Sequence, residues 1–170
     1  MARLKRRLRR AFDANVSAAR KAASPEEAVR ELGQLAVSLE RAGRDLSPRS
    51  LISLSNHPEH SVRVAAVSNL GYFRGELVLD RLLECLVDPE LSWPALDSML
   101  QSLGPEKTLQ HVQQVAPNLQ LRLVGLLRYS SHQAALRTLR TIAEAGDCPE
   151  AIAARKALTD EDDEACVTQV

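Results

Sequence analysis

Apolar residues along this chain recur at helical spacing. Val62, Ala65, Ala66 and Leu70, with Asn69 among them, fall on one face of a helix, as do Leu119, Leu123, Val124 and Leu127. Prolines recur at Pro25, Pro58, Pro89, Pro117 and Pro149, spaced by 33, 31, 28 and 32 residues, and four of the five precede a glutamate. Proline fits the first turn of a helix, where its missing N–H is no loss, and glutamate there complements the positive end of the helix dipole. Between these starts stand Ser47-Pro48, Gly75, Gly104-Pro105 and Ser130-Ser131, which mark a second set. Gly71 and Gly104 occupy positions where left-handed C-caps are wanted. The spacing predicts ten helices in five hairpins: 2–22 with 25–42, 48–55 with 59–70, 76–87 with 92–103, 105–115 with 118–129, and 132–145 with 149–159.

A hairpin of about thirty residues cannot bury its apolar face alone, so hairpins must stack into a continuous core. The expected architecture is all-α, a right-handed α-solenoid of about five hairpins spanning residues 1–159, with residues 160–170 as an acidic, disordered tail. Composition agrees with helix: of 170 residues 45% are hydrophobic but only 3% aromatic, and Leu, Ala and Arg dominate.

Pro58-Glu59, Val62-Arg63, Ala65-Ala66 and Asn69-Leu70-Gly71 together resemble the HEAT repeat of the short bacterial type, also met in phycobilin-lyase-like proteins. Leu121-Arg122 follows Pro117 as Val62-Arg63 follows Pro58, whereas Trp93-Pro94 stands at those offsets after Pro89. The resemblance covers residues 25–159. It implies a non-catalytic adaptor or scaffold that binds a protein partner, with the second helices of the hairpins lining the binding face. Arg63, Trp93, Arg122 and Arg128 are the residues expected to touch the partner, since aromatic residues and arginines dominate binding hot spots. Tetratricopeptide repeats are excluded, because their Trp, Tyr and Phe landmarks are missing from a chain with one Trp, two Tyr and two Phe.

Charge adds a polarity. Twenty-two basic and 22 acidic residues cancel, which leaves no overall field to hold a nucleic acid. Yet residues 1–50 carry 12 basic against 6 acidic groups, and residues 51–170 carry 10 against 16. The first twelve residues form a basic amphipathic helix with Leu4, Leu8, Ala11 and Phe12 on one face. One reading makes it the cap of the stack. The alternative function is peripheral attachment, in which Leu4, Lys5, Arg6, Leu8, Arg9 and Phe12 dock on an anionic membrane surface, a partner or the cytoskeleton. No apolar run approaches the roughly 18 residues of a membrane span, so a cytoplasmic protein, peripheral to the inner face of the membrane in that alternative, is expected.

Little in the chain carries chemistry. Cys85, Cys148 and Cys166 have no CxxC spacing and suit reduced thiols. His57, Glu59 and His60 lie close together, but the rest of a metal site is missing. There is no GxSxG and no glycine-rich phosphate loop. No catalytic residue, cofactor or metal is therefore expected. The resemblance leaves one enzymatic alternative, a lyase subunit or a DNA glycosylase of the HEAT type, for which Trp93 and Asp97 would face a cationic lesion.

Overall fold

The computed structural model describes residues 2–35, 39, 46–128 and 133–167, with side chains for residues 6 to 159 of these. Ten α-helices and no strand occur among the described residues. They are α1 (Ala2–Lys21), α2 (Pro25–Gly33), α3 (Arg49–Leu54), α4 (His60–Leu70), α5 (Glu76–Val87), α6 (Ser92–Leu103), α7 (Pro105–Val115), α8 (Gln120–Leu127), α9 (Gln133–Ala143) and α10 (Pro149–Val167). A 3-10 turn, Pro117–Leu119, leads into α8. None of the described helices is long and apolar enough to cross a membrane. The chain divides into two compact units, residues 1–102 and 103–170, where the sequence pattern suggests one.

Local chemistry explains the boundaries. Ser24 caps α2 by accepting the N–H of Glu27 at 3.3 Å, and the Glu27 carboxylate answers by accepting the N–H of Ala23 at 3.0 Å. Hydrogen bonds from its own backbone N–H and the Ser24 side chain hold the Glu26 carboxyl below its usual range. Pro25, Pro105 and Pro149 open their helices as expected. Pro58 and Pro89 instead lie upstream, in turns whose helices begin at His60 and Ser92. Gly104 has φ +83° directly before α7, but Gly71 is right-handed at φ −57° and is no left-handed cap. Its reason is space: a Cβ there would lie 3.0 Å from Cα and 3.2 Å from the carbonyl oxygen of Ser98 on α6. α10 runs on through the acidic residues 160–164 to Val167, beyond the boundary expected at 159. No glycine or proline follows Pro149 to stop it, and extending a helix is far easier than starting one.

In the first unit α1 packs on α2 and α3, α2 on α4, and α4 on α3 and α5. Phe12, Val16 and Ala19 form the buried face of α1, and the Phe12 ring meets Phe73 with centroids 6.2 Å apart. Asn69 is buried and donates to the carbonyls of Ala65 at 2.8 Å and Leu32 at 3.2 Å, which ties α4 to the end of α2. Ser98 donates to the Val67 carbonyl at 2.9 Å, fixing α6 where Gly71 lets it approach. In the second unit α7 packs on α8 and α9, and α10 packs on α8 and α9. Thr108 and Thr138 are buried there, each hydroxyl donating to the carbonyl four residues back.

Candidate functional site

The residues picked from the sequence come out in different situations. Arg63 is held inside the fold: its guanidinium donates to the carbonyls of His57 at 3.2 Å and Pro58 at 2.8 Å and pairs with the Glu90 carboxylate. With 19% of its side chain exposed, it braces the turn before α4. Arg155 does the same work in the other unit, donating to the carbonyls of Ala143 and Gly146 and to Asp147. Arginine in the second turn of a helix can reach back over the preceding turn and satisfy carbonyls left open at the previous helix end. Arg63, at the Val-Arg pair that the sequence pattern marks, thus has a structural reason. Arg81, which no sequence pattern marks, braces a third turn through Ser55 Oγ at 2.7 Å and the Ser55 carbonyl at 2.8 Å.

Phe12 was placed at a docking face and is instead 3% exposed, locked against Phe73. Of the apolar stripe expected to dock, Phe12 is buried within the unit but Ala11 is exposed. Leu8 is half-buried while Arg6 and Arg9 are exposed; the side chains of Leu4 and Lys5 lie outside the described residues. The His57 ring accepts the Glu59 N–H at 3.1 Å on Nδ1, and His60 Nδ1 lies 3.6 Å from Glu90. No group of three metal-ligating side chains gathers among the described residues. Burial raises the Cys85 thiol above its ordinary range, with Arg81 opposing and Asp88 and Glu84 reinforcing the shift.

Trp93, 47% exposed on α6, and Arg122, exposed on α8, do lie at the surface, as does Asp97 one turn after Trp93. Arg128 stands in a more telling place. It closes one end of a shallow groove of about 230 Å³ between α8 and α10. Leu121, Val124 and Gly125 line it from α8, and Ala153, Lys156 and Ala157 from α10. The groove is smaller than the roughly 300 Å³ from which small-molecule sites begin. Its floor is apolar and its polar lining groups are both cationic.

Gly125 is the anomaly in this groove. It sits inside α8, where glycine costs up to about 1 kcal/mol relative to alanine. Its φ is not positive, and a Cβ built on it would meet nothing within 4 Å. Neither backbone conformation nor packing among the described residues calls for glycine. The sequence offered a signal, an isolated glycine in a helical pattern, but only the open space around it separates this glycine from Gly71. Neither family models, curated proteins nor solved structures provide a match to the chain.

Proposed function

We propose that the chain is a HEAT-like stack of helical hairpins that does no chemistry of its own and acts as an adaptor, holding a helical segment of a protein partner in the groove between α8 and α10. The observation that carries this reading is Gly125, an unfavourable helix residue kept where its missing side chain leaves the groove floor open. Packing of alternate helices supports the stacked-hairpin part: α1 lies on α3 and α2 on α4 in one unit, α7 on α9 and α8 on α10 in the other. That is the neighbour pattern expected when successive hairpins superpose.

The groove suits an amphipathic helix with small apolar residues on one face and acidic residues flanking them. The apolar face meets Val124, Gly125, Ala153 and Ala157, and the acids approach Arg128 and Lys156. Half-exposed Leu121 supplies the wall. The test uses two series of labelled amphipathic helical peptides, identical on the apolar face and either acidic or basic on the polar face, read by fluorescence anisotropy. Acidic peptides should bind, and Gly125→Leu should weaken them at least about tenfold, because the added side chain fills the floor and displaces peptide contact worth roughly two buried methylenes. Equal affinity for both series, or no effect of Gly125→Leu on a protein with unchanged circular dichroism, removes the reading.

A further inference from the structure

The basic end of α1 is left unexplained by the groove, and burial of Phe12 changes what it can do. Arg6, Arg7, Arg9 and Arg10 are all exposed. At about 100° per residue, Arg6, Arg7 and Arg10 share an arc opposite Phe12, Val16 and Ala19, so they project away from the body of the unit. The four arginines follow the first turn of α1, beyond the reach of its dipole, so their charge is not set by the helix end. Four exposed arginines within five residues, three of them on the side turned away from the buried face, form a cationic patch directed out of the unit.

The geometry points to an anionic membrane surface, to which the first turns of α1 adsorb through arginine–phosphate contacts while Phe12 stays in the core. Guanidinium groups match phosphate oxygens two at a time. The face is the outer side of a cylinder and forms a ridge, not a cleft that could enclose an acidic peptide. Nucleic acid fits less well. Exposed Asp13 follows Arg10 by three residues on the same side and would meet any phosphate track laid along the axis. No aromatic ring is exposed on the described part of α1 to stack on bases. A flat surface reached by the first turns alone avoids both objections.

Adsorption of this kind differs from insertion in its response to salt, since charge contacts are screened and buried apolar contacts are not. The experiment is co-sedimentation of the full chain with vesicles of phosphatidylcholine alone, or with about a third phosphatidylglycerol, at about 0.05 M and about 0.5 M salt. Binding to the anionic vesicles at low salt, released at high salt, is expected. Arg6→Gln, Arg7→Gln and Arg10→Gln should each lower it about fivefold and together about a hundredfold, with circular dichroism unchanged. Gly125→Leu should have no effect, which separates this proposal from the groove. Failure to bind anionic vesicles, binding that survives high salt, or tighter binding to duplex DNA or polyglutamate at equal charge each overturns it.

Discussion

The same substitution, glycine to alanine, should act with opposite sign at Gly71 and Gly125. At Gly71 the new Cβ would stand 3.0 Å from the Ser98 Cα and 3.2 Å from the Ser98 carbonyl oxygen, against about 3.5–4.0 Å for relaxed contact. Gln101 Oε1, nearer still, ends a flexible side chain and can swing aside. The Ser98 backbone cannot, because its own hydroxyl is bonded to the Val67 carbonyl. α6 must retreat by about half an ångström, and overpacking of this kind costs about 1–3 kcal/mol. Any helix-propensity gain at this C-cap is smaller. At Gly125 no neighbour resists the methyl group, and the residue lies within a helix, so alanine should stabilise by about 0.5–1 kcal/mol. Urea unfolding measures both. Trp93 is the single tryptophan and lies in the first unit with Gly71, so its fluorescence follows that unit, while helical circular dichroism follows both. With a slope of about 1–3 kcal/mol per molar urea, Gly71→Ala should lower the fluorescence midpoint by roughly 0.5–1 M, and Gly125→Ala should raise the dichroism midpoint by a few tenths. An unchanged or raised fluorescence midpoint in Gly71→Ala would show that close approach is not why glycine stands there.

Three further outcomes are expected. Phe12→Ala should cost about 3–5 kcal/mol in the Trp93-monitored transition, because a buried ring and its contact with Phe73 are lost together; a cost under about 1 kcal/mol would mean that α1 is not anchored by that ring. Arg63→Ala should destabilise the first unit by about 1–2 kcal/mol and Glu90→Ala by less, since the two backbone carbonyls are lost only with the arginine and the exposed carboxylate is screened; equal effects would assign the brace to the ion pair. Cys85 is buried with its thiol raised, so the folded state binds that proton more firmly than the unfolded chain does. The associated stability is whole below the ordinary thiol range and is lost as pH rises through the raised value. Ellman's reagent above the ordinary range should label Cys148 well before Cys85; comparable rates would contradict the burial.

Proline, glycine and capping serine act on their immediate neighbours, which is why most of the helix ends among the described residues lie within two residues of those the sequence predicts. Pro25, Pro105 and Pro149 open helices because φ and a missing N–H are properties of the residue itself. The apolar period also located the faces of α4 and α8 that are buried, including Val62, Ala66 and Leu70, and Leu123, Val124 and Leu127. The candidate site was less legible. Arg128, expected to touch a partner, lines a groove together with Lys156 and Gly125, which no sequence pattern marks as its neighbours. Arg63 and Arg122 stand at the same offset after their prolines, yet the Arg63 side chain is turned back onto its own preceding turn while Arg122 is exposed on α8.

Helicity, polarity of charge and the position of the turns are thus written one residue at a time, by dihedral preference, periodicity and count. The partner that each face meets is not, because an amphipathic stripe states that burial is required and leaves open what buries it. Phe12 faced water, lipid or protein equally well until Phe73 was placed against it. Gly71 and Gly125 carry the same absent side chain, and only neighbours brought from elsewhere in the chain make one a close contact and the other an open floor.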